Sequence, residues 1–99
     1  MRIIAVSTLR AFWNRPGRRD AEQSLRAWVH VVKSADWSKP PDVKRTFGSA
    51  DILRNGRAIF DIGGNKYRLV AAIPYRGKRV YVRFIGTHRE YDEIDTETV

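Results

Sequence analysis

The residues best suited to chemistry close one stretch, Ile59 to Asp92, which ends in Thr87-His88-Arg89-Glu90-Tyr91-Asp92. Histidine titrates nearest to neutral pH, so His88 is the best acid–base candidate here. Upstream lie three cations, Lys66, Arg68 and Arg83. On one surface they repel each other unless a carboxylate or an anion sits among them. Two readings follow. Asp61 can pair with Arg68 on a face that is merely solvated. Alternatively, the cations hold a phosphate, and acid–base groups arrive where the last strand ends. Tyr91, about one helical turn past His88, can orient substrate, stack on a base or share a proton transfer. The plainer uses are a strand-end cap for His88 and a core anchor for Tyr91.

Three consecutive strands must position these groups. Gly63-Gly64-Asn65 reads as a hairpin turn between apolar runs, because glycine takes positive φ without steric cost. Arg76-Gly77 is a second turn, followed by the β-prone residues Val80, Tyr81, Val82, Phe84 and Ile85. Side chains alternate faces along a strand. A two-residue loop at Arg76-Gly77 sets Leu69 opposite Phe84, Ala71 opposite Val82 and Ile73 opposite Val80, an apolar core face. The other face then carries Lys66, Arg68 and Val70 against Tyr81, Arg83 and Ile85. Arg68 and Arg83 become diagonal neighbours, roughly 7–8 Å apart. A two-residue turn within Gly63–Asn65 adds Ala58 and Phe60 to the core face and Asp61 to the charged one. A three-residue loop would reverse this parity.

Charge is unevenly spread. Lys plus Arg number 19 against 11 Asp plus Glu, a net charge of +8, which favours a polyanionic partner, nucleic acid first and anionic membrane second. Nine basic residues and a single acidic one, Asp61, lie between Arg54 and Arg89, whereas residues 90–99 hold five acidic and no basic residues. Ninety-nine residues suit one domain, 1–99, with a modest core and an acidic tail at 90–99. There is no cysteine, so disulfides, thiolate catalysis and zinc–thiolate sites are excluded. With two histidines, a histidine-rich metal site is not expected, and neither is a cofactor. No run is long and apolar enough for a transmembrane helix, and no secretory h-region opens the chain. The expectation is a soluble cytoplasmic protein.

Before the meander, Arg2 to Val6 reads as a short buried strand. Ser7 is placed to cap a helix from Thr8, with Leu9, Phe12 and Trp13 on its buried face. Pro16-Gly17 ends it, and Arg15, Arg18 and Arg19 flank the break as a solvated basic cluster. Asp20 with Gln23 reads as a capping box for the strongest helix, whose stripe is Leu25, Trp28, Val29 and Val32. His30 lies on an exposed face of that helix. Trp37 packs back on the core, and Pro40-Pro41 open a short helix burying Val43 and Phe47. Asn55-Gly56 is a turn. The layout is α+β, with an N-terminal strand and two helices packed on a mostly antiparallel sheet and a short C-terminal segment.

Two segments, FDIGGNKYRLV (Phe60 to Val70) and VRFIGTHREYD (Val82 to Asp92), resemble HigB-type toxins of the RelE superfamily of toxin–antitoxin systems. The pair of motifs is specific where either alone is weak, and the likeness extends more faintly from Trp37. It implies a RelE-like fold and an mRNA interferase, an endoribonuclease cutting mRNA, commonly on the translating ribosome. It also implies a cognate HigA-like antitoxin with a helix-turn-helix. By position, the resemblance assigns catalysis to Arg68, Arg83, His88 and Tyr91. Lys66 also fills a family position, as a basic residue on the sheet, and RNA contacts are expected from it and from Asn65, Arg89, Lys78 and Arg79.

The chemistry suits these residue types. A ribose 2′-OH attacks the adjacent phosphate and the 5′-oxygen leaves. Charge gathering on the phosphoryl oxygens meets preorganised arginines. No metal site is required of the chain, since Asp61 is the sole carboxylate between Arg54 and Arg89 and magnesium sites use carboxylates. Two other classes fit a basic face. One is a non-catalytic RNA-binding module, disfavoured because parity places Tyr67 and Phe84 in the core. The other is a regulatory protein meeting an acidic partner.

Overall fold

The computed structural model describes all residues 1–99. Strand β1 (Arg2–Ile4) leads into helix α1 (Val6–Trp13), α2 (Ala21–Ser34) and α3 (Pro40–Thr46). Then come β2 (Asp51–Ile52), β3 (Arg57–Ile62), β4 (Tyr67–Ala72), β5 (Arg79–Thr87) and the short helix α4 (His88–Asp92). The sheet order is β1-β5-β4-β3-β2, with β1 parallel to β5 and every other pair antiparallel. This is an α+β architecture of four helices and a five-stranded mixed sheet, consistent with a RelE-like fold.

The core lies between the helices and one sheet face. Leu9, Phe12 and Trp13 of α1 and Leu25, Trp28 and Val32 of α2 meet Ala58, Phe60, Tyr67, Leu69 and Val80 of the sheet. Trp37, Phe47 and Phe60 form an aromatic knot, with ring centroids 5.2 to 6.3 Å apart. Such contacts add to the area term that drives burial.

Two local starts differ from the sequence reading. Helix α1 begins at Val6, not Thr8, and Ala5 precedes it with no side-chain cap bond. Ser7 therefore sits inside the first turn. Asp20 precedes α2 but does not cap it with its carboxylate, which is drawn across to β4.

The β3–β4 register keeps the expected parity, with Ala58 opposite Ala71, Phe60 opposite Leu69 and Asp61 opposite Arg68. The connecting loop is four residues, Gly63 to Lys66, rather than two; both lengths are even, so the faces are preserved. Gly63 and Gly64 take φ of 64° and 71°, which only glycine adopts freely.

The β4–β5 register is as expected only as far as Ala71 opposite Val82. There Arg83 bulges, so Val70 faces Phe84, Leu69 faces Ile85 and Arg68 faces Gly86. Beyond the bulge, the expectations reverse. Ile85 joins the core, and Phe84 lies on the outer face with Arg68. Arg83 is three strand positions from Arg68's partner, about 10 Å along the strand, and not its diagonal neighbour.

The outer face is also less charged than expected. Ile59 and Val70 are buried there, outside the main core. The chain after α4 returns across this face: the Val99 carbonyl accepts hydrogen bonds from Arg57 Nη1 (2.6 Å) and Arg83 Nε (3.1 Å).

Candidate active site

The Thr87 end of β5 launches α4 through a capping box. The Thr87 N–H donates to Glu90 Oε1 at 2.9 Å, and the Glu90 N–H donates to Thr87 Oγ1 at 3.1 Å. Glu90's carboxyl is held below its ordinary value, first by that Thr87 N–H and further by the charges of Arg18 and Arg15. Gly86 makes the close docking possible. A Cβ there would lie 2.7 Å from Phe84 Cζ and 2.9 Å from Glu90 Oε1.

This start fixes His88 and Tyr91 three residues apart, neighbours on the helix surface. His88 is half-buried, and its Nε2 is shielded from solvent with no hydrogen-bond partner. Tyr91 packs near Phe84, with ring centroids 6.5 Å apart. The Arg68 guanidinium carbon lies 4.8 Å from the Tyr91 ring centroid, a cation–π contact. Arg68 Nε is also 3.6 Å from Asp61 Oδ1, each side chain 25% exposed. That distance gives attraction without a hydrogen bond. Arg68 is thus located by a ring and a carboxylate, and its buried Nε stays unbonded.

Lys66 reaches back to α2 and forms an ion pair with Asp20. Asp20 also accepts the Tyr67 hydroxyl at 2.5 Å. Lys66 and then Tyr67 hold the Asp20 carboxyl below its usual value; Asp20 in turn raises the Lys66 ammonium. Burial, then Asp20, pushes the Tyr67 phenol up. Asn65 and Arg89 are exposed near this end, Asn65 in the turn and Arg89 on α4.

The remaining sequence candidates lie elsewhere. Lys78 is at the opposite end of β5, where its Nζ bonds the Trp37 carbonyl (3.1 Å), Ser38 Oγ (2.9 Å) and Asp36 (2.8 Å). Arg79 is exposed there, 3.5 Å from the Tyr81 hydroxyl. Arg83 sits on the bulge and binds the Val99 carbonyl. His30 is exposed on α2. The sequence reading missed Asp20 as the partner of Lys66 and Tyr67. No local signal announces a contact across 46 residues. It also set aside Arg15 and Arg18, which the fold brings to the Phe12 ring.

Residues 21–94 match the family model described as HigB toxin, the RelE-like toxic component of a toxin–antitoxin system. The chain belongs to the HigB toxin family. It is 34% identical over 73 residues to the mRNA interferase HigB of Escherichia coli O6:H1 (strain CFT073), covering 72% of this chain and 71% of that protein. Over 70 residues it is also 34% identical to the mRNA interferase toxin HigB of Escherichia coli K12 and the mRNA interferase HigB of Shigella flexneri. These matches cover 69% of this chain and 67% of each relative. The HigB match takes in α2 to α4, hence Arg68, His88 and Tyr91, and starts after α1. No helix is long and apolar enough to cross a membrane.

Proposed function

We propose that residues 1–99 act as one toxin domain, an endoribonuclease that cuts mRNA on the translating ribosome in the cytoplasm. A HigA-like helix-turn-helix antitoxin would neutralise it. The observation that carries this reading is the convergence at one hairpin end. Arg68 is held by Asp61 and Tyr91 with its Nε unbonded, close to α4, whose first residue His88 has an unpartnered Nε2. The relatives' names supply the substrate class.

In this reading the ribose 2′-oxygen attacks the adjacent phosphorus, and its proton passes to a base. The P–O5′ bond breaks, and the leaving 5′-oxygen takes a proton. His88 serves one of these proton transfers. Arg68 meets the charge developing on the phosphoryl oxygens. Tyr91 positions Arg68 and offers a ring to a base. Asn65 and Arg89 meet the RNA backbone around the turn, joined by Lys66 only where a phosphate displaces Asp20. Arg83 braces the C-terminal segment rather than the scissile phosphate, because its Nε is committed to Val99. In this reading the charge at the phosphate falls to arginine, with no metal required.

The mechanism fixes the products: a 2′,3′-cyclic phosphate or 3′-phosphate upstream and a 5′-hydroxyl downstream. An mRNA with a single 2′-O-methyl at the mapped cut site, offered on stalled ribosomes, should resist cleavage. Efficient cutting of that message, or a 5′-phosphate on the product, would contradict the mechanism. Intact message with every substrate would contradict the nuclease reading itself.

A further inference from the structure

Most positive charge on the hairpin is already engaged. Lys66 is paired with Asp20, Arg68 faces Asp61, Arg83 binds Val99 and Lys78 is tied to Asp36. Arg15 and Arg18, on the connection between α1 and α2, have no carboxylate within ion-pair distance. Their guanidinium carbons lie 5.6 and 6.0 Å from the centroid of the same buried ring, Phe12. Phe12 meets Tyr67 edge to face at 5.4 Å, and Tyr67 is bonded to Asp20, the partner of Lys66. Through Phe12 and Tyr67, the two arginines therefore stand on the Tyr67 side of the hairpin. Arg18 Nε is shielded from solvent without a partner, and the guanidinium's one hydrogen bond is a long 3.4 Å contact with the Gly17 carbonyl. Two arginines without carboxylate partners at one ring leave positive charge that an anion would neutralise. The arginine fork is shaped for phosphate oxygens.

We propose that Arg15 and Arg18 form a subsite for the phosphodiester backbone of RNA, flanking the Arg68–His88 end. The subsite deepens the nuclease reading and rests on it. It belongs to residues outside the stretch matched by the family model. The phosphates it grips belong either to the message or to ribosomal RNA.

The test is a salt titration. Binding of a fully 2′-O-methylated RNA oligonucleotide is measured by fluorescence anisotropy for the wild type and for Arg15→Gln/Arg18→Gln. Each phosphate contact to a single strand adds about 0.7 to the slope of log K against log salt, so the double variant should lose about 1.4. Arg15→Lys/Arg18→Lys keeps both charges and should recover the slope. Arg54→Gln/Arg76→Gln removes two exposed charges at the other end of the sheet and should leave it intact. An unchanged slope in the glutamine variant, no recovery with lysine, or an equal loss in the Arg54/Arg76 control would each overturn the subsite. Repeating the titration with empty ribosomes and with free message identifies the source, and loss with neither also overturns it. A wild type that binds with the expected slope but never cuts would sink the nuclease reading and leave the subsite standing.

Discussion

The bulge at Arg83 divides the β4–β5 hairpin into two halves that use similar side chains differently. On the Thr87 side, Arg68 is located by a ring and a carboxylate that leave its Nε unbonded, and His88 Nε2 is unpartnered. On the Lys78 side, Lys78 and Arg83 are tied up in structure, while Arg76 and Arg79 stay exposed. Lys78 ties β5 to the Asp36–Ser38 loop, and Arg83 and Arg57 share the Val99 carbonyl. A basic residue is available to a substrate according to its partners, not its place in a basic stretch. Burying a polar nitrogen without a partner costs stability. Within the hairpin and α4, such nitrogens occur at Arg68 and His88, which is why the proposed chemistry is assigned to the Thr87 half.

Each side of the comparison can be broken separately. The largest effect is expected from His88→Ala, which should lower cleavage by about 10²–10⁴-fold if His88 transfers a proton. A silent His88→Ala would remove the Thr87 half from the chemistry. Next, Gly86→Ala forces a methyl toward Phe84 and Glu90 and should cost about 1–3 kcal/mol in a denaturant melt. Activity should fall further than the loss of folded protein explains, because α4 is displaced. On the opposite side, Lys78→Ala should cost about 1 kcal/mol, with cleavage per folded molecule preserved.

A smaller effect is pH-dependent. Asp20's carboxyl is held below its ordinary 3.8 by Lys66 and Tyr67, so its contribution is fully present above that pH. It is lost as pH falls through the lowered value. The wild type should therefore melt above Asp20→Asn at neutral pH, and the gap should close only below 3.8. A gap that stays constant into strong acid would contradict the ion-pair assignment.

Much of the frame was legible in the sequence. The Gly63-Gly64 turn, the α2 stripe and the Thr87-to-Asp92 run each carry a local physical signature. Asp61 falls on the Arg68 face as expected, because an even loop of either length preserves parity. The bulge was not legible. Val80 to Ile85 is β-prone throughout, and Arg83, with no glycine beside it, gives no local sign that the ladder breaks there. That one residue moved Phe84 outward, Ile85 inward and Arg83 away from Arg68. Asp20 shows the same limit, since its short-range capping pattern lost to partners far along the chain.

The most direct measurement sets Arg68→Ala beside Arg83→Ala. Single-turnover cleavage of mRNA on stalled ribosomes is followed for both variants and for the wild type, with folding confirmed by melting. Arg68→Ala should lose about 10²–10³ in rate, the cost of one preorganised donor, while Arg83→Ala stays within about threefold of wild type. A collapse of Arg83→Ala with Arg68→Ala near wild type would place the chemistry in the other half of the hairpin and contradict the account.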